Sequence, residues 1–396
     1  MRVVFVWQRF LEYHVARLGA VARVLRVAGH DLVAVEVATA DAAYGFPVAG
    51  GDNNFEHRIC FVGENYHSLS AARVRQAVLA VLRGEGPEVV FAPATAFPEG
   101  MAAINYRLES GARVVMMDDA WEGSDQRGPL TRAIKRLVHR NVDGAFIPAP
   151  SHAPYFRGLG FPDERIVFGV DAVDNDYFAA ETARVRAGSD SEGAGTVPYF
   201  LFVGRILRRK GLESLLRAYA SYRTACGAGP WGLVVVGGGP GAEMAGHAGP
   251  TDGISFVGPC FGPELCESYA RAGALVVPSL RDPWSLVVNE GMASGLPVLV
   301  SQGCGCARTL VQEGENGWTF EAGDWATLAR LMARMAALPA ERRVEMGRRS
   351  AEVISQWGLA RFVNGVEMAL QVPRRGPAPW LSDLVAQAWM GRVTIT

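Results

Sequence analysis

Apolar residues fall along this chain in two rhythms: short continuous runs ended by a turn residue, and longer stretches where they recur every three or four positions. The runs Arg2–Trp7, Asp31–Val37, Val89–Ala92 and Arg113–Met117 predict strands. Between them Val15–Leu25, Ala71–Leu82 and Thr131–Asn141 carry the helical period. Such βα alternation predicts a parallel sheet covered by helices on both faces, with ligands at the carboxyl ends of the strands. After a stretch at 183–197 rich in Gly, Ala and Ser, which reads as a linker, the alternation restarts. Tyr199–Val203, Leu233–Val236, Ile254–Gly258, Ala274–Val277 and Val298–Val300 predict a second set of strands. Gly295-Leu-Pro297 stops the helix that precedes the last of them. The expected layout is an N-terminal domain 1–180, a linker 181–197, a second domain 198–355, and a tail 356–396 with helices at Leu359–Leu370 and Trp380–Met390.

Composition narrows the classes without choosing among them. About half of the 396 residues are apolar, enough for two cores. With 39 basic and 40 acidic residues the net charge is −1, which gives no support for a nucleic-acid partner. No apolar run reaches transmembrane length, and Met1 opens directly into a strand without a leader pattern, so a cytoplasmic location is expected. Six scattered cysteines read as reduced thiols. Cys304-Gly-Cys306 is a lone Cys-x-Cys, too little for a metal site, and reads as small residues lining a loop.

The chemistry concentrates in Arg281–Val300, where Asp282 and Glu290 flank a helix start. The N–H groups of Ser285, Leu286 and Val287 there are unpaired within the helix and suit a phosphate oxygen. Glu290 lies roughly 8 Å further along. Upstream, Gly204 ends a strand and lets the chain turn, Arg205 can fork onto phosphate oxygens, and Lys210 can act as a point charge. Hydroxyl acceptors around a diphosphate grip describe a sugar–diphosphate–ribose ligand. The plainer alternative is that Asp and Ser cap the helix and Glu290 sits on a solvated face.

Five features together resemble the retaining glycosyltransferases of GT-B architecture, glycosyltransferase family 4: Val203-Gly204-Arg205 with Lys210-Gly211, Val236-Gly-Gly-Gly-Pro240, Ile254–Gly258, the carboxylates eight residues apart, and Met292-Ala-Ser-Gly-Leu-Pro-Val298. The resemblance covers residues 198–330 strongly. It implies two Rossmann-like domains facing across a cleft, with a C-terminal helix crossing back to the first. It also implies transfer of a sugar from a nucleotide-diphosphate sugar, UDP by family frequency, to an acceptor hydroxyl with retention and without a metal. No cofactor is required, the nucleotide sugar being the substrate, and the setting is bacterial polysaccharide or glycoconjugate synthesis. Arg205, Lys210 and the helix start would hold the leaving diphosphate, Asp282 the sugar ring and Glu290 the ribose, with Gly204, Pro259, Trp284, Ser285, Leu286 and Val287 also donor-binding. Two departures stand out. Asp282 replaces the usual Glu, one methylene longer, and Ser285 replaces a usual Gly.

The acceptor would be a glycan, a lipid-linked sugar or a small molecule. The family's glycines after the first strand are absent, leaving Arg9, Glu12, Tyr13 and His14 to line the site; His14 could equally be an ordinary helix-start residue. Asp118-Asp119-Ala-Trp121 follows another strand, with Asp119 an acceptor-orienting group or base and Trp121 beside it, or else a pair of turn formers. Asp174-Asn-Asp176 copies a metal motif but precedes a domain boundary. The basic helix 131–140 admits peripheral contact with a membrane's inner face, against a plain solvated helix. Three other classes remain: a nicotinamide dehydrogenase, from the Gly-rich turn at 237–239; a nucleotide-sugar epimerase or phosphorylase on the same scaffold; and a non-catalytic nucleotide-sugar-binding protein.

Overall fold

A computed structural model describes residues 1–40, 54–125, 127–189, 197–226, 229–239, 241 and 253–393. The chain divides into two compact units, Met1–Ala172 with Leu359–Thr396, and Val173–Gly358.

The first unit is a seven-stranded parallel sheet, β1 (Arg2–Trp7), β2 (Asp31–Ala40), β3 (Glu56–Asn65), β4 (Val89–Pro93), β5 (Arg113–Met117), β6 (Gly144–Ile147) and β7 (Ile166–Phe168), in spatial order β3-β2-β1-β4-β5-β6-β7. Helices α1 (Glu12–Val27), α2 (Ala71–Glu85), α3 (Pro98–Ser110), α4 (Pro129–His139) and α5 (Ala153–Gly158) connect the strands. Alternate residues of β1 serve opposite faces. Val4 and Val6 enter one hydrophobic cluster, Val3 and Phe5 the other, where Phe5 stacks on Phe91 at 4.3 Å. The later helix α13 (Leu359–Gln371) belongs to this unit, packs on α1 and buries Phe362 completely among the β1 and β6 side chains. Burial of that ring contributes about 3 kcal/mol.

The second unit holds six parallel strands, β8 (Tyr199–Val203), β9 (Gly232–Val236), β10 (Ile254–Gly258), β11 (Ala274–Val277), β12 (Val298–Ser301) and β13 (Gly317–Phe320), ordered β10-β9-β8-β11-β12-β13. Its helices are α6 (Asn175–Ser189), α7 (Leu212–Ala225), α8 (Gly262–Arg271), α9 (Leu286–Ala293), α10 (Ala307–Leu310), α11 (Trp325–Ala336) and α12 (Ala340–Ile354); α14 (Trp380–Ala388) returns to the first unit. Phe200, Phe202 and Leu233 from the sheet pack against Leu215, Tyr219 and Tyr222 of α7 and Met332 and Met335 of α11.

Each sheet reverses its direction of winding once, between β1 and β4 and between β8 and β11. In doubly wound sheets the crevice at that reversal, on the carboxyl side, is where ligands bind. Both places are occupied by the loops that the sequence marks out.

Three of the differences from expectation have a local physical cause. Residues 181–189, expected as linker, are the last turns of α6; Arg186 reaches into the unit, donating to the Ala270 and Ser294 carbonyls at 3.0 and 2.8 Å. Residues 190–196 and Pro240 lie outside the described residues. Strand β3 goes unpredicted because it is a half-exposed edge whose polar side chains meet those of neighbouring elements, Arg58 with Glu85 and His57 with Glu36. Helix α3 is missed because it is buried nearly all round, Glu99 and Gly100 included, and so shows no polar stripe.

Candidate functional site

At the second unit's reversal the backbones of four loops touch. Gly211 has φ 73°, and a Cβ there would lie 2.0 Å from the Pro278 carbonyl oxygen. A Cβ on Gly237 would lie 1.9 Å from the Gly204 oxygen. Only glycine permits either approach. The Arg209 carbonyl accepts from Leu280 N at 2.8 Å and Arg281 N at 3.3 Å, and Ile206 N donates to Gly238 O at 2.8 Å. Asp282 is pinned on both sides, its N–H on the Gly303 carbonyl and its own carbonyl accepting from Gly305 N. Cys304 and Cys306 are buried in that last loop, Cys304 bridged to Asp282.

Lys210 Nζ lies 2.6 Å from Asp282 Oδ2, with the carboxylate side chain 7% exposed. Ser279 Oγ adds a donor at 3.4 Å. Burial works to raise the Asp282 pKa, but attraction and hydrogen bonding to Lys210, with Arg209 and Ser285 behind them, hold it below the usual carboxylate range. Burial, helped by that carboxylate, pushes the Cys304 thiol up, so it is an inert neutral group. Arg205 is half-buried on the same loop as Lys210.

Helix α9 begins beside this pair. Val288 N donates to the Ser285 carbonyl at 3.0 Å, and the N–H groups of Leu286 and Val287 precede it. One turn on, Glu290 Oε2 accepts from the Tyr269 hydroxyl at 2.7 Å. Tyr269 is fully buried, and burial together with Glu290 pushes its pKa well above the ordinary value, so it acts as a donor at every working pH. Pro259 is exposed beside Gly238. Trp284 lies elsewhere than expected: its ring is 1% exposed, bonded to Asn289 Oδ1 at 3.0 Å and tilted against Trp357 at 5.5 Å. An indole that finds its N–H partner inside is a core side chain.

The first unit's reversal is held by side chains. Phe10 N donates to Glu36 Oε1 at 2.9 Å, and Gln8 Nε2 donates to the Tyr66 hydroxyl at 3.2 Å. That hydroxyl in turn donates to Glu99 Oε2 at 3.1 Å. Burial pushes the Glu99 carboxyl up to about 7 against the backbone, Tyr66 and Gln8 hydrogen bonds. Nearby, Arg17 is 3% exposed, donates to the Ala172 carbonyl at 2.8 Å, sits 3.6 Å from Asp171 and lies 4.8 Å above the Tyr13 ring. Asp119 also faces it electrostatically. Tyr13, Arg17, Asp119 and Asp171 are therefore one cluster at the strand ends.

His14 does not join it as a ligand-facing group: its Nδ1 accepts the Leu11 N–H at 3.0 Å in a capping box, its ring packs on Trp7 and Tyr13, and burial lowers its pKa well below the ordinary value. Glu12 is exposed on the first turn of α1, and Arg9 is 8% exposed. Asp118 accepts from Ala120 N at 3.0 Å as a turn former, and Trp121 N bonds Ser124 Oγ at 2.9 Å in the turn that follows. In the basic helix, Lys135 is buried against Asp125 and Tyr155, Arg132 meets Glu122, and Arg136 donates to the Gly158 carbonyl. Of its four Lys and Arg residues only Lys135 is buried, while Arg136 and Arg140 are exposed. Sequence reasoning missed Arg17, Glu36, Glu99 and Tyr269, which lie inside helices or strands without any motif around them. Among the described residues no group of His, Cys, Asp and Glu could hold a metal ion, and no helix is long and apolar enough to cross a membrane.

Residues 189–353, nearly all of the second unit, match the family Glycosyl transferases group 1. The second unit thus carries a domain that matches the glycosyl transferases of group 1. It is 34% identical to a D-inositol 3-phosphate glycosyltransferase of Thermomonospora curvata over 46% of each chain. It is 26% identical to a GDP-mannose-dependent alpha-mannosyltransferase of Corynebacterium glutamicum over 82% of this chain and 78% of that one. The first of these matches spans less than half the relative's length. Sucrose-phosphate synthase from Thermosynechococcus elongatus superposes with a TM-score of 0.73 at 19% identity, covering 93% of this chain and 98% of that one. That likeness establishes the two-domain Rossmann-like GT-B fold.

Proposed function

We propose that this chain transfers a sugar from a nucleotide-diphosphate sugar to an acceptor hydroxyl, with retention and without a metal. The observation that carries the reading is the Lys210–Asp282 pair at the second unit's reversal, 2.6 Å apart, beside the start of α9. A cation, a helix start and two anchored carboxylates lie along the loops and helix of that reversal, a set that suits a ligand with phosphates between two hydroxyl-bearing ends.

In this reading Arg205, Lys210 and the N–H groups at Ser285, Leu286 and Val287 receive the diphosphate. They hold it more strongly as the glycosidic bond breaks and charge gathers on the leaving oxygen, which lowers the barrier. Glu290, oriented by Tyr269, accepts from the ribose, and Asp282 accepts from the donor sugar. The acceptor hydroxyl attacks on the face the diphosphate leaves; no covalent nucleophile is required. Asp119, facing Arg17, orients the acceptor or takes its proton, and Arg9, Tyr13 and Trp121 border it. The acceptor is a glycan, a lipid-linked sugar or a small molecule, met in solution or at the inner face of a membrane. UDP is the first donor base to try and GDP the second, the latter because the Corynebacterium relative is named for GDP-mannose.

A thermal-shift panel of UDP- and GDP-sugars with NAD, followed by product analysis, tests this. A donor at a hundredfold its dissociation constant stabilises the fold by about 2.7 kcal/mol. Stabilisation by NAD alone would favour the dehydrogenase. Turnover without an acceptor would favour an epimerase or phosphorylase.

A further inference from the structure

The residue before α9 carries two costs that the helix does not explain. Among the described residues Ser285 alone takes a left-handed backbone, φ 92°, without being glycine. A side chain in that region is strained, and such strain persists where the surroundings require it. Ser285 is also 5% exposed, and its hydroxyl has no aligned hydrogen-bond partner, although it is near enough to the Asp282 carboxyl and the Cys304 thiol to act on both. It does not cap α9, since no backbone N–H of the helix reaches it.

Asp282 is the group that could use this hydroxyl. In the free chain its Oδ2 is satisfied by Lys210 at 2.6 Å, with Ser279 Oγ at 3.4 Å. Lys210 is at the same time the cation that the diphosphate needs. Once a diphosphate draws the ammonium toward itself, a carboxylate on a pinned backbone is left buried with less to compensate its charge. Ser279, Arg209, Cys304 and Ser285 are the groups that remain around it, and of the two hydroxyls that of Ser285 is the one not yet aligned on a partner.

We propose that Ser285 is a positioning residue that takes over Asp282 when the donor's diphosphate draws Lys210 away, its hydroxyl donating to the carboxylate so that Asp282 stays aimed at the donor sugar. The proposal rests on the donor-binding reading above. It gives the strained serine a purpose that the glycine usual in this family cannot serve.

The test compares the full chain with its Ser285→Gly and Ser285→Ala variants, using UDP-glucose and GDP-mannose in thermal-shift and steady-state measurements. Ser285→Gly removes both strain and hydroxyl; Ser285→Ala removes the hydroxyl and keeps the strain. Without nucleotide, Ser285→Gly should melt above the wild type. With the sugar nucleotide that stabilises the wild type more, both variants should show a smaller shift and a donor KM raised about tenfold, the scale of one hydrogen bond to a charged group. The acid limb of the donor complex should also move to higher pH, because the charged carboxylate has lost a donor. If Ser285→Gly melts higher with unchanged donor shift, KM and acid limb, the serine is merely tolerated and the proposal falls. If neither sugar nucleotide shifts or is turned over by the wild type, the donor-binding reading falls first, and this proposal with it.

Discussion

The two sheet reversals share a topology and are held in opposite ways. In the second unit, loops meet backbone to backbone, and glycines at 211 and 237 let carbonyls approach within about 2 Å of where a Cβ would stand. In the first unit the loop after β1 has no glycine, and buried side chains fix it: Glu36 takes the Phe10 N–H, and Tyr66 links Gln8 to Glu99. Under the proposed function, with the diphosphate at the second reversal and the acceptor at the first, the difference sets where each ligand half can be varied. A diphosphate is the same in every donor, so a rigid backbone cradle suits it. Acceptors differ, and a loop held by exchangeable side chains can be reshaped without disturbing the sheet.

The largest effect is expected of Gly237→Ala. Its Cβ would overlap the Gly204 carbonyl at 1.9 Å, so a loss above about 4 kcal/mol, or failure to fold, is expected in denaturant titration. A tolerated alanine would show that the cradle is not rigid.

Next in size is Lys210→Ala, which strands the 7%-exposed Asp282 carboxylate and should cost about 3 kcal/mol along with donor binding. Adding Asp282→Asn should recover most of the stability and none of the binding. Because Asp282 is held below its ordinary pKa, its contribution is present above roughly pH 4 and is lost as pH falls through the lower folded value.

Glu99 gives a test with the opposite sign in the first unit. Folded, it keeps its proton up to about pH 7, while the unfolded chain releases it near roughly 4.3. The folded state therefore binds more protons between those values, and stability falls by about 3 kcal/mol as pH rises through them. Glu99→Gln should flatten that fall in urea titrations from pH 5 to 8; a retained slope would place the titration elsewhere. The smallest effect belongs to Tyr269→Phe, which takes one donor from Glu290 and should weaken donor binding by about 1 kcal/mol, read as KM, with the fold intact.

The contrast also sets what the sequence could reveal. Close backbone approach demands glycine and basic residues at fixed offsets, so Gly204, Lys210, Gly211, Asp282 and Glu290 were legible as a group, as was the βα alternation of both halves. Side-chain networks take partners of any polar type at any distance along the chain. Gln8 and Tyr66 are 58 positions apart, Tyr66 and Glu99 33. His14 and Trp284 show the converse error: residues with functional chemistry in promising loops, whose polar atoms are spent on a cap and on Asn289. Nothing local in the sequence separates a satisfied ring from an available one.

In the proposed function Lys210, released from Asp282, receives a diphosphate. Calorimetric titration of UDP and GDP into the wild type and into Lys210→Ala measures this directly. One of the two nucleotides should bind the wild type, with an affinity that weakens as salt rises, and bind the variant at least about tenfold more weakly. Equal affinity for both proteins, or no binding of either nucleotide to the wild type, would contradict it.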